Sequence, residues 1–101
     1  MEPATKARAL SLTAQTLRHT RPAYKNYRQM GALIGRFTNA MAASGVSGQE
    51  ARVIIASACI GREIHSFKEL FGGEVTALLE EPDLPEIVGY VIKEKFGAAV
   101  N

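Results

Sequence analysis

The sequence has one cysteine, two histidines and four prolines, and it has no apolar run long enough to cross a membrane. The single cysteine, Cys59, cannot form an internal disulfide, and no cysteine and histidine have the spacing of a metal site. A membrane-spanning helix needs ~18 or more consecutive apolar residues, and the first residues lack the apolar core of a signal peptide. We therefore expect a cytoplasmic protein in a reducing compartment, with no metal, cofactor or membrane partner.

Length and composition predict one folded domain. Hydrophobic residues make up 47% and charged residues 22% of the 101 residues, which is ordinary for globular proteins and argues against disorder or a fibrous repeat. A chain of this length buries one modest core. We expect a single helical domain over residues 1–101 with loosely ordered termini.

The spacing of apolar residues predicts an all-α fold, a small bundle of four to five helices. Helical periods recur along the chain, whereas the alternation typical of a half-buried strand is never sustained. The predicted helical segments are about 4–18, 22–44, 48–60, a short piece from 67 with a further turn or two up to 81, and 84–96. The stretch 53–60 is apolar nearly all round, so we expect a buried central helix there.

Several residues indicate where helices begin and end. Thr20 is suited to cap the second helix, and Ser47, with Glu50 three residues later, has the pattern of a capping box for the third. Ser66 is suited to cap the short piece that follows it. The glycine pair 72–73 is expected to interrupt or end that piece.

The sequence offers little for catalysis. His65 has Glu63 and Glu69 nearby, but residues two apart on a helix point to different faces. Cys59 lies in the most apolar segment, where a thiol stays protonated and unreactive. The acidic group 80–83 lacks the loop that calcium requires and reads as a solvated helix end. We expect no enzymatic activity.

The stretch 49–73 resembles a helix-turn-helix only in its order of parts. Gly61 could occupy the turn, but the next position, which is normally apolar, is Arg62. The helix that would read the bases carries only Lys68 as a cation, beside Glu69, and a DNA-reading helix should be richer in positive charge. We do not expect this motif.

Charge is distributed unevenly between the two halves of the chain. Residues 1–45 contain seven Lys and Arg against the single acid Glu2, a balance of +6. Residues 46–101 contain five Lys and Arg against nine Asp and Glu, a balance of −4. Such asymmetry indicates an anionic partner for the basic half, or head-to-tail self-association.

The second helix separates its cations from its apolar residues. At 100° per residue, the cations gather on one side together with Gln29 and Ala32. With the preceding arginine they form what we call the basic face: Arg18, Arg21, Lys25, Arg28 and Arg36. The opposite, core-facing side is predicted to comprise Tyr27, Met30, Ile34, Phe37 and Met41. Because the tyrosines do not share the basic face, stacking of nucleic-acid bases there has little support.

A third side of the second helix contains Gly31 and Gly35, together with Thr38 and Ala42 and beside Tyr24. Glycine inside a helix is about 1 kcal/mol less favourable than alanine, so two glycines one turn apart suggest close approach by another helix. That helix is either the third helix of the same chain, which we favour, or its copy in a second subunit.

These patterns predict a regulatory or adaptor protein that acts by binding. The leading hypothesis is a homodimer whose basic face meets an acidic surface of another protein. The alternative is a small nucleic-acid-binding accessory protein that binds phosphates through the same face. The acidic second half of the chain counts against this alternative, because it weakens the overall positive field.

Overall fold

The computed structural model describes residues 1–18 and 27–97, except for the side chain of Tyr27. Within these residues the fold is all-α, as predicted, with five α-helices, one short 3-10 helix and no strand. The helices are α1 (Pro3–Thr16), α2 (Tyr27–Ala42), α3 (Gln49–Ile60), α4 (Gly72–Glu80) and α5 (Leu84–Phe96), and the 3-10 turn is Phe67–Glu69. No helix in this part of the chain has the length and apolar character that crossing a membrane would require. The predicted cap at Thr20 and the C-terminal tail lie outside the described residues.

Between Leu84 and Ile92 the apolar residues of helix α5 recur at steps of three and four, which predicts one apolar stripe along the helix. Pro85 occupies its first turn, and Gly97, with a φ of 69°, ends it. The stripe is buried, and α5 contacts α1, α2 and α3. Its buried residues are Leu84, Ile87, Val88, Val91 and Ile92. Helix α5 therefore joins the other long helices into one core.

Helix α3 is a core helix with one exposed side. Ile55 and Ile60 are completely buried, whereas Ile54 is 37% exposed and Val53 is half-buried. The predicted capping box of Ser47 and Glu50 is wrong, because the helix begins one residue later, after Gly48. Gly48 precedes the helix with a φ of 103°, a backbone conformation that favours glycine. No described side chain accepts a hydrogen bond from the first turn of the helix as a cap.

Helix α4 begins at the glycine pair that was expected to interrupt the helix. Ser66 does cap the 3-10 turn, accepting a hydrogen bond from the Lys68 amide. The chain is then extended at Leu70 and Phe71, and α4 starts at Gly72 because the Glu74 carboxylate accepts the Phe71 N–H at 2.9 Å. This bond satisfies one of the free amide groups of the first turn.

Close packing occurs at glycines other than those predicted. A Cβ atom on Gly31 or Gly35 would meet nothing within 4 Å among the described residues, so the predicted close packing of α3 against this side of α2 is wrong. The buried residues of α2 are Met30, Leu33, Phe37 and Met41, of which only Leu33 is absent from the predicted core. Gly31 and Gly35 lie more than about 100° around the helix from the middle of this buried side. Tight approaches occur instead at Gly61 and Gly73, where a Cβ would overlap residues of α1 and of the segment just after it.

Candidate protein-interaction surface

Two arginines of the predicted basic face are used inside the fold. Arg18 donates from Nε to a Glu74 carboxylate oxygen at 3.0 Å and from Nη2 to the Ile60 carbonyl at 2.5 Å. Arg36 donates to the last carbonyls of α4, at 3.0 and 2.5 Å to Leu78 and Leu79, and at 2.6 Å to the Glu81 carbonyl just beyond. A guanidinium at this position satisfies carbonyl groups that have no partner within their own helix.

Arg18, Arg62 and Glu74 form a buried cluster, which we call the Glu74 cluster. The Glu74 side chain has no solvent exposure, and both of its oxygens accept from Arg62, each at 2.8 Å. Burial favours a higher pKa for the Glu74 carboxyl, but the hydrogen bonds from Arg62, Phe71 and Arg18 outweigh burial and hold its pKa below the ordinary value. The cluster joins the ends of α1 and α3 to the start of α4.

Lys6 makes a further link between the basic and acidic halves. Its ammonium lies 2.6 Å from a Glu86 carboxylate oxygen and 3.4 Å from one of Asp83. The hydrogen bond to Glu86 is the main reason that the pKa of Lys6 is raised. Three cations of the first half, Lys6, Arg18 and Arg36, therefore interact with the second half of the same chain, and part of the charge asymmetry is met within the fold.

Little of the predicted basic face remains available among the described residues. Arg28 is exposed, whereas Arg18 and Arg36 direct their guanidinium groups inward. Arg21 and Lys25 lie outside the described residues. The structure therefore does not bring the five cations together as one binding surface in the part of the chain that it describes.

Cys59 and His65, the residues considered for catalysis, have no catalytic partners among the described side chains. Burial raises the pKa of Cys59 to about 12, which keeps the thiol protonated. His65 is exposed, and Glu69 accepts its backbone N–H rather than pairing with its ring. Across the described ranges, no three His, Cys, Asp or Glu side chains are arranged to hold a metal ion. Only a three-residue 3-10 helix, Phe67–Glu69, follows α3 where a base-reading helix would be needed.

The exposed side of α3 borders a concavity of about 890 Å³. Val53, Ile54 and Ala58 give it an apolar wall. Its charged lining is of both signs: Glu50, Arg62, Glu63 and Lys95. Because neither sign dominates, this concavity does not favour a ligand of either charge.

A smaller pocket of about 210 Å³ opens between α2 and α3, and we call it the α2–α3 pocket. Both helices pack against α5, and the 3-10 turn closes one side. Phe67 of that turn is fixed by an edge-to-face contact with Phe37, with ring centroids 5.6 Å apart. The lining residues are Met30, Ile34, Gln49, Arg52, Val53, Ser66, Phe67 and Lys68.

Among the described residues, the two ionisable side chains that line the α2–α3 pocket are both cations. Arg52 is partly buried and Lys68 is exposed, and neither has an ion-pair partner within residues 1–18 and 27–97. This distinguishes them from Lys6, Arg18 and Arg62, whose charges are paired. Sequence reasoning missed the pocket because the apolar surface of α3 was interpreted as buried on every side.

Comparisons with models of protein families, with curated proteins and with solved structures give no match for this chain.

Proposed function

We propose that this chain is a non-enzymatic regulatory or adaptor protein that acts by binding another protein through the α2–α3 pocket. The observation that supports this proposal is an apolar pocket lined by two cations that the fold itself leaves without acidic partners in the described residues. The expected partner surface is acidic, as in the hypothesis drawn from the sequence. The binding residues differ, because Arg52 and Lys68 replace Arg18 and Arg36.

The test uses variants that change the apolar wall of the pocket. Ile34→Gln and Val53→Gln, made together, keep the volume of the side chains but make the wall polar. The control is Leu12→Gln, which changes an apolar side chain that is already 55% exposed on α1. Circular dichroism checks that all variants fold.

Proteins retained by the immobilised wild type are identified and then purified for direct binding measurements. We expect at least one direct partner that binds the wild type and the Leu12→Gln control but does not bind the Ile34→Gln, Val53→Gln double variant. It is wrong if every direct partner binds the double variant and the wild type equally, or if the retained material is nucleic acid that nuclease removes. The second result would instead support the nucleic-acid alternative.

A homodimer stays part of the proposal. Gly31 is exposed and Gly35 is partly buried, and neither has a close neighbour among the described residues, which leaves a second subunit as the other explanation drawn from the sequence. Light scattering measures the mass directly. A monomer at the highest working concentration would contradict the homodimer without affecting the proposal about the pocket.

A further inference from the structure

The size of the α2–α3 pocket limits what it can hold. Clefts that enclose a whole small molecule or cofactor have volumes of roughly 300–1,000 Å³, and this pocket has about 210 Å³. Met30 and Phe67, each only 8% exposed, together with the half-buried Ile34 and Val53, give it an apolar interior. An apolar pocket of this size suits one bulky apolar side chain of a larger partner.

The charges beside the pocket indicate what flanks that side chain. Arg52 projects from α3 and Lys68 from the 3-10 turn, so cations come from two different elements, while no carboxylate of the described residues lines the pocket. Within the described residues the nearby Glu69 carboxylate is already engaged with the His65 amide. A segment with carboxylates next to its apolar residue would complement this surface, whereas a basic segment would be repelled.

We infer that the α2–α3 pocket receives one bulky apolar side chain from an acidic segment of the partner, and that carboxylates beside this side chain pair with Arg52 and Lys68. This inference rests on the proposed function and specifies the chemistry of the partner. The apolar anchor supplies most of the affinity, because it is removed from water. The two ion pairs supply selectivity for acidic segments and a dependence on salt.

The surface beside the pocket is compatible with such a segment. On the side of α2 that follows Ile34, the positions with described surroundings are Thr38, Gly31 and Ala42, all of which are exposed. Small side chains there leave room for the partner backbone to approach once its anchor is inserted. An amphipathic helix, which presents its apolar and acidic residues from neighbouring turns, fits this arrangement.

The inference is tested with a library of random short peptides displayed on phage and selected on the wild-type protein. We expect enrichment of peptides that combine Leu, Ile, Met, Phe or Trp with neighbouring Asp or Glu. The strongest peptide is then synthesised with a fluorophore, and its binding is measured by fluorescence polarisation at low and physiological salt. A second peptide has the apolar anchor replaced by alanine.

The decisive variant is Arg52→Glu with Lys68→Glu, and its matched control is Arg8→Glu with Lys93→Glu, which reverses two exposed cations outside the pocket. We expect the pocket variant to weaken binding by at least about tenfold, because like charges then face each other. We expect the control to change binding less than about twofold. The alanine peptide should bind at least about tenfold more weakly than its parent.

Several results would overturn the inference. They are a selection that yields no peptide, a selection that yields neutral or basic peptides, and equal binding by the pocket variant and the control. Binding to phosphatidylserine vesicles that requires Arg52 and Lys68, without peptide binding, would identify a membrane ligand instead. If direct partners still depend on Ile34 and Val53 while acidic peptides fail, the inference is wrong and the proposed function stands. If both experiments fail, both are wrong.

Discussion

Replacing Glu74 by glutamine should lower the free energy of unfolding by about 3 kcal/mol. Removing one partner of a buried ion pair typically costs about 3–5 kcal/mol, because the remaining charge is buried without an opposite charge beside it. Here Glu74 is completely buried, whereas the side chains of Arg18 and Arg62 are 28% and 23% exposed and can still reach water. That partial hydration places the expected loss at the lower end of the range.

Thermal melts followed by circular dichroism measure this loss. For a domain of this size each kcal/mol shifts the melting temperature by about 4–8 °C, so we expect a decrease of about 12–24 °C at neutral pH. The matched control is Glu80→Gln, which removes an exposed carboxylate from the same helix and should change stability by less than about 0.5 kcal/mol. Equal melting temperatures for the two variants would refute the importance that we assign to the Glu74 cluster.

The pH dependence provides a second check. Because the pKa of Glu74 is lowered on folding, its ionised form stabilises the folded state above the pKa of the unfolded chain, ordinarily about 4.5. That stabilisation is lost as the pH falls through the lower pKa of the folded state. The difference in stability between wild type and Glu74→Gln should therefore stay constant from pH 8 to about pH 5 and decrease below it. A difference that grows on acidification would contradict this mechanism.

Four further predictions concern single residues. Arg36→Met should lower the unfolding free energy by about 2 kcal/mol in urea titrations, because carbonyls at the end of α4 lose a charged donor. The control, Arg28→Met, should change the unfolding free energy by less than about 0.5 kcal/mol. Similar losses for the two variants would contradict the structural role of Arg36. In thermal melts at a concentration where light scattering gives a monomer, Gly31→Ala should stabilise the protein by about 0.5–1 kcal/mol, because the space around Gly31 is open within the described residues of one chain. Gly73→Ala should destabilise it by more than about 1 kcal/mol, because the added methyl overlaps the main chain after α1; the reverse order would show that the close approach is misassigned. Cys59 has a pKa raised to about 12, so it should resist thiol reagents at pH 8 in the folded protein and react with them in denaturing urea. Rapid reaction without urea would contradict the burial of Cys59.

Local periodicity in the sequence was sufficient to predict that the second half is helical, but the predicted starts of α3 and α4 were wrong. The spacing from Leu84 to Ile92 identified the buried side of α5, and the hydroxyl of Ser66 identified the start of the 3-10 turn. These features depend on residues a few positions apart, so the sequence shows them directly. Gly72 and Gly73 were misinterpreted because glycine suits both the end of a helix and a close approach to another segment.

The candidate site was harder to predict because it depends on contacts between distant residues. The partners of Arg18 and Arg36 lie 42 to 56 positions further along the chain, and a helical projection cannot distinguish an arginine that caps another helix from one that faces solvent. Arg52 and Lys68 carried no signal in the sequence. They share a pocket only because α3 and the 3-10 turn lie beside α2.

The attachment of basic residues to partners later in the chain has a consequence for synthesis on the ribosome. Lys6 contacts Glu86, 80 positions later, and at ~5–20 residues per second that partner is made roughly 4–16 s afterwards. During this interval the emerging half exposes a charge balance of +6 to ribosomal RNA, which attracts cations. We expect the nascent chain to stay close to the ribosome surface until its acidic half appears and folding neutralises this attraction.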